Sequence, residues 1–220
     1  MAVSNRRDWL IISGLIVLAF IPVVAGMVRL TMLAGSGLVT PDNARFFDAP
    51  TPVVLHIFSV TIYCLLGAFQ FASSFHRRYP KWHRVAGGIL VVAGLVAALS
   101  SLWMAMFYAI IPADSALLHG LRLFFGSAVA LSLVMGYLAI RRRDVTCHRA
   151  WMRRAYAIGL GAGTQALTQI PPLLIFGPPD EMTLALTMGA AWVLNLAVAE
   201  WLICRSRGAG PRRASARYEK

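Results

Sequence analysis

Four of the five histidines stand near the starts of four successive apolar segments: His56, His83, His119 and His148. Successive membrane helices run in opposite directions, so His56 and His119 belong near one face of a bilayer and His83 and His148 near the other. A haem iron inside a helical bundle takes an imidazole from each of two facing helices, projecting from opposite sides of the porphyrin at similar depth. Counting the rise per residue, His56 lies roughly four residues inside the second segment and His119 roughly three inside the fourth, one turn below the surface. His83 and His148 form the matching inner pair. For any one of these residues the ordinary alternative is a hydrogen-bonded or lipid-facing side chain. For the inner pair, binding lipid phosphate or fixing the loops competes with metal ligation. His76, ahead of Pro80 in a basic loop, is read as solvated.

The segments that must position these rings are plain in the composition. The chain has 220 residues, 58% hydrophobic and only 14% charged, with a mean hydropathy of +0.66; that is the signature of a multi-span membrane protein. Six apolar runs each exceed the length needed to cross roughly 30 Å of hydrocarbon: Trp9 to Leu33, Pro52 to Ser74, Val85 to Ile111, Ala116 to Ile140, Ala155 to Phe176 and Met182 to Cys204. They are continuously apolar, without the alternation of barrel strands. The expected fold is therefore all-α, an integral membrane six-helix bundle with the second to fifth helices as a central four-helix core flanked by the first and sixth. Residues 1–204 form that domain. Residues 205–220 form a basic tail too poor in apolar residues to fold, resting on anionic lipid.

The net charge of +12 leaves no soluble domain for nucleic acid, and its distribution matters more than its sum. Of the 21 Lys and Arg residues, 18 fall on one side of the six runs, which places both termini in the cytoplasm by the positive-inside rule. The opposite connections carry Asp42, Arg45, Asp48, Asp114, Asp180 and Glu181. Arg6-Arg7 before an apolar run resembles an export signal, but the run is long, ends in Arg29 and lacks a small-x-small cleavage site, so it is read as a retained helix. Cys64, Cys147 and Cys204 are too scattered for a disulfide framework or a metal site, and Cys64 reads as a small core residue.

Charged residues inside membrane segments usually meet a partner. Arg122, three residues after His119, and Arg29, at the outer end of the first helix, would hold haem propionates there; snorkelling, or pairing with Asp42 and Asp48, is the alternative. Arg84, Arg149 and Lys81 would do the same for an inner haem. Gln165, Thr168 and Gln169 form a polar stripe on the fifth segment, suited to interhelical hydrogen bonds or to a quinone site. Pro171-Pro172 should kink or end that helix. Gly87, Gly88, Gly94, Gly126, Gly136, Gly159, Gly161 and Gly163 allow close helix packing or clearance for a flat macrocycle. Glu200 is expected to pair with an arginine such as Arg205, and Phe46-Phe47 to rest on the membrane surface. No hydrolytic constellation is present in the sequence.

The basic loops Arg77-Arg78-Tyr79-Pro80-Lys81-Trp82-His83-Arg84-x-x-Gly87 and His148-Arg149-Ala150-Trp151-Met152-x-Arg154-x-Tyr156, with His56 upstream and His119 between, resemble those of a bacterial membrane-protein family, DUF2306. In layout the chain is similar to the cytochrome b561 superfamily, where six helices carry two haems between the second and fourth and the third and fifth. That likeness implies a haem b protein of the bacterial inner membrane, with one or two haems, carrying single electrons across the bilayer from an unidentified donor to an acceptor such as ferric iron or quinone. A homodimer is compatible with it. The rival reading is a membrane protein without haem, a small-solute transporter or a structural or sensory partner, whose histidines serve packing, lipid contact or proton response.

Overall fold

The structure, a computed structural model, describes residues 2–72, 77–111 and 115–208. Among these residues every regular element is helical, as a hydrocarbon layer requires of backbone that finds no water to bond. The helices are α1 (Ala2–Thr31), α2 (Ala44–Asp48), α3 (Pro50–Ala68), α4 (Pro80–Phe107), α5 (Ala116–Arg141), α6 (Val145–Gly159), α7 (Gly161–Phe176) and α8 (Glu181–Gly208). A π turn, Met32–Ser36, follows α1, and a 3₁₀ turn, Phe69–Phe71, follows α3. Five helices are long and apolar enough to cross a membrane: α1, α3, α4, α5 and α8. The fifth expected span is instead two shorter helices, α6 and α7, meeting at Leu160.

Helix starts follow local chemistry. Pro50 and Pro80 open α3 and α4, where a missing N–H leaves no helical bond unmade. Ser115 Oγ accepts from Leu118 N–H at 3.2 Å, Asp144 Oδ1 from Cys147 N–H at 2.9 Å and Asp180 Oδ1 from Thr183 N–H at 2.8 Å, capping α5, α6 and α8. The two hydrogen bonds from Thr183 hold the exposed Asp180 carboxyl below the usual carboxylate range. The turn between α5 and α6 closes by Asp144 N–H donating to Ala139 O at 3.0 Å across Arg143, whose φ of 62° is the left-handed value usual at helix C-termini.

The helices close a ring. α1 packs on α3 and α7, α3 on α4, α4 on α5, α5 on α6 and α8, and α8 on α6 and α7. The sixth span thus packs into the bundle and lines its cavity with Met188 and Trp192, beyond the flanking place expected of it, while no residue of the first span lines that cavity. α7 is fastened to α8 by a polar ladder: Thr164 Oγ1 donates to Asn195 Oδ1 (2.9 Å), Asn195 Nδ2 to Ala157 O (3.0 Å) and Thr168 Oγ1 to Thr187 O (3.0 Å). The Asn195 bond reaches the backbone one turn before the break at Leu160. Of the polar stripe of the fifth segment, Thr168 is used here.

Three further expectations are redirected. α7 runs through Pro171 and Pro172 to Phe176 and stops at Gly177, φ 83°; the interruption of the fifth span lies instead at Leu160, between two glycines that receive the rings of Tyr63 and Trp192. Glu200 takes Arg154 of α6 in a two-pronged pair, with Arg154 Nη2 donating to Oε2 at 2.9 Å, while Arg205 lies over the Trp201 ring. α8 continues past Arg205 to Gly208. Residues 209–220, His76 and Asp114 lie outside the described residues.

Gly163 of α7 faces the carbonyl of Leu18 on α1 so closely that a Cβ would collide with backbone, which cannot swing aside. Gly163→Ala should therefore lower stability by roughly 1 to 3 kcal/mol. Gly87→Ala, where a Cβ meets nothing within 4 Å, should be neutral or slightly stabilising. Thermal unfolding of the two variants in detergent checks this; equal midpoints would contradict the α1–α7 approach.

Candidate functional site

The ring encloses a cavity of about 330 Å³, within the range of about 300 to 1,000 Å³ typical of ligand sites. Its lining reaches the end of the bundle that carries α2 and the residues following α4, here the loop end, through Arg45, Phe46 and Tyr108; the opposite, basic end carries Arg6, Arg7 and Arg141 to Arg143. Small residues line much of it, Gly94, Ala97, Ala98 and Ser101 from α4 and Gly159 and Ala162 from the α6–α7 break. Phe125 and Trp192, stacked with centroids 4.9 Å apart, make one wall. Tyr63 makes the floor. Its ring fits against Gly94 and Gly159, where added Cβ atoms would come within 2.7 and 2.9 Å. Behind it Tyr156 donates to Cys64 O at 2.7 Å and packs on Phe71, 4.7 Å between centroids. Cys64 is buried there, as expected of a small core residue.

One imidazole lines this cavity. His56 of α3 has Nδ1 at 2.9 Å from Ala97 O of α4, with Ser100 Oγ at 3.3 Å. A carbonyl only accepts, so Nδ1 carries the hydrogen and a neutral ring keeps its lone pair on Nε2. A backbone carbonyl on the distal nitrogen is the support that metal-bound histidines commonly have. Ser100 Oγ is itself turned to Val96 O (2.7 Å) and Ala97 O (3.0 Å), which ties the carbonyl and the ring into one network.

His119 is not among the described residues that line the cavity with His56. Gly94 lies against Leu133 and Gly126 against Leu102, which fixes the register of the antiparallel pair α4 and α5. In that register Ala97 faces about Ala130, and His119 lies on the order of 15 Å nearer the loop end. Helical periodicity also turns it about 60° from Arg122, toward the seam with α4. Two nitrogens on one iron stand about 4 Å apart, twice a metal–nitrogen bond of about 2 Å. The inner pair is offset too. His148 Nδ1 donates to Gly136 O at 2.8 Å, a level that faces about Val91, whereas His83 lies roughly 12 Å beyond it toward the basic end of α4. Among the described residues no cluster of three or more His, Cys, Asp or Glu side chains forms a metal site.

The arginines divide similarly. Arg122 lines the cavity, and so does Arg45, which the sequence reading left among the loop residues. Arg29 lies 4.6 Å from the centroid of the Phe46 ring, with Arg45 5.1 Å from the same centroid. Phe46 is not spread on the membrane surface: it lines the cavity and meets Tyr108 edge-on at 5.4 Å. Arg84 and Arg149 are exposed at the basic end, where Arg84 Nε donates to Pro80 O at 3.3 Å. Gln165, 6% exposed, also lines the cavity and donates to Met188 O at 3.4 Å. The role of Arg45 was hidden in sequence because nothing there says that α2 folds back over the bundle; its place as one of three cations outside the basic segments was the available signal.

The family described as a predicted membrane protein, DUF2306, matches residues 53–203, and the chain belongs to it. No curated protein and no solved structure matches the chain at a significant level.

If the cavity is reached from the loop end, Ser101→Cys should react with a small water-soluble thiol reagent in reconstituted protein whose Cys147 and Cys204 are replaced by Ser. Buried Cys64 should stay unmodified in the same sample. Mass spectrometry reads both, and an unreactive Cys at position 101 would contradict an open mouth.

Proposed function

We propose that this member of the DUF2306 family is a haem-carrying electron-transfer protein of the bacterial inner membrane. His56 would hold the iron of one b-type haem in the loop-end cavity. The observation that carries the reading is the Nδ1–H bond of His56 to Ala97 O, which leaves Nε2 as the metal-binding atom of a ring lining a cavity. Walls of glycine and alanine give a flat macrocycle its clearance, Phe125, Trp192 and Tyr63 offer ring contacts, and Arg45 and Arg122 supply positive charge near the mouth. When bound, the haem supplies a reversible one-electron couple. The chain's own part is to hold the iron through Nε2, fix the ring through Ala97 and Ser100, and exclude water from the floor with Tyr63. No second imidazole lines the cavity among the described residues; the thioethers of Met104 and Met188 are its other soft donors. The reading is thus a single haem exchanging electrons at the loop end, in place of a two-haem relay. The basic end, with both termini, faces the cytoplasm.

A second reading keeps the cavity and drops the iron: a binding or transport site for an organic anion. It is favoured by the two arginines and by the single imidazole.

Protein purified in mild detergent after expression with ample haem should show a b-type spectrum that sharpens on dithionite reduction. His56→Ala should abolish it, and His119→Ala should leave it in place. Colourless wild-type protein, or a spectrum lost with His119 and kept without His56, would reject the assignment.

A further inference from the structure

α6 is the amphipathic part of the fifth expected span. Ala150, Ala155, Tyr156 and Ile158 are buried on its inner side, and it is not among the five helices long and apolar enough to cross a membrane. Its level in a bilayer is marked by tryptophan. Arg154 lies over the ring of Trp151, 4.7 Å from its centroid, and Arg205 over that of Trp201 on α8 at 5.1 Å. Indoles paired with cations in this way belong where hydrocarbon gives way to headgroups.

Arg149 and Arg153 stand at that level, four residues apart and therefore on one face of α6. Arg153 Nη1 donates to Ser206 Oγ of α8 at 3.1 Å, and Ser206 Oγ donates to Ile203 O at 2.7 Å. Arg153 is thus moored to the end of α8 by one N–H and keeps its others. Arg149 is exposed. The carboxylates nearest on these helices have other work: Glu200 takes Arg154 in its two-pronged pair, and Asp144 Oδ1 caps α6 through Cys147 N–H. Like charges one turn apart oppose each other. Burial, and then the charge of Arg149, pull the Arg153 guanidinium below its ordinary range. An oxyanion between the two would offset both costs, and planar guanidiniums match the oxygens of a phosphate in pairs.

We infer that Arg149 and Arg153, moored by Ser206 at the seam of α6 and α8, form a binding site for the phosphate group of an anionic lipid headgroup. Occupancy fastens the short helix α6 to the end of α8 at the bilayer surface. The site is separate from the cavity and does not depend on what the cavity holds. It also differs from the general pull of a basic surface on anionic lipid, because two guanidiniums on one face do the binding and other exposed arginines of that end, such as Arg142, do not.

The test uses the full chain in mild detergent, with native mass spectrometry counting bound short-chain phosphatidic acid, phosphatidylglycerol or phosphatidylcholine. The two anionic lipids should bind at least about tenfold more tightly than phosphatidylcholine, whose choline offsets the phosphate charge. Arg149→Gln and Arg153→Gln should each weaken the anionic lipids by roughly three- to tenfold and leave phosphatidylcholine unchanged, with Arg153→Lys in between. Arg142→Gln removes the same charge from the same end and should change binding by less than about twofold. Arg149 is exposed, so its variant reads the site even if Arg153→Gln fails to fold. Equal losses for Arg142→Gln, unchanged binding in the Arg149 variants, or no preference for anionic lipid would overturn the site. Inorganic phosphate at the same concentration should not displace the lipid; full displacement would assign the two arginines to a soluble phosphate and overturn the lipid.

Discussion

The hydrogen bond from His56 to the carbonyl of Ala97 is the constraint on which the rest of the site depends. It joins α3 to α4, and it decides which ring nitrogen remains for chemistry. The accepting carbonyl belongs to a helix that is already saturated by its own ladder, so the bond uses the second lone pair of Ala97 O. Ser100 shares that carbonyl and the same imidazole nitrogen. A ring held in this way is oriented before any ligand arrives, which is the condition for metal binding without reorganisation.

The bundle has two unlike halves. Toward the basic end the interior is filled by Tyr63, Tyr156 and Phe71, with Tyr63 admitted only because Gly94 and Gly159 lack side chains. Toward the loop end the same helices diverge around a cavity that residues from five of the six expected spans line, and the short helix α2 lies over it. The break at Leu160 belongs to this division. It lets the fifth span present Gly159 to Tyr63 below and Ala162 and Gln165 to the cavity above, while Asn195 and Thr168 secure the displaced segment to α8.

Much of the scaffold was legible in the sequence. Continuous apolar runs located five helices, with ends that differ by up to about seven residues, since hydrophobic length is a direct consequence of bilayer thickness. Local chemistry that those runs do not show, the cap at Ser115 and the prolines at 50 and 80, sets three of the starts. The level of one histidine against another depends on register between neighbouring helices, which contacts such as Gly94 with Leu133 and Gly126 with Leu102 fix and a count of residues from helix ends does not contain. Arg45 was missed for a related reason. Its segment reads as a loop of Gly, Pro, Asp and Asn, and only tertiary contacts from Tyr108 and Arg29 turn it inward. Arg122, by contrast, was expected at a site because a cation inside an apolar helix needs a use, and it lines the cavity.

Nitrogen-15 NMR of histidine-labelled protein in nanodiscs reads the protonation pattern of the His56 ring directly, with its resonances assigned by their loss in His56→Gln. The account predicts a neutral ring protonated at Nδ1, with an unprotonated Nε2 whose resonance moves when haemin is added. A ring protonated at Nε2, or protonated at both nitrogens at neutral pH, would contradict it.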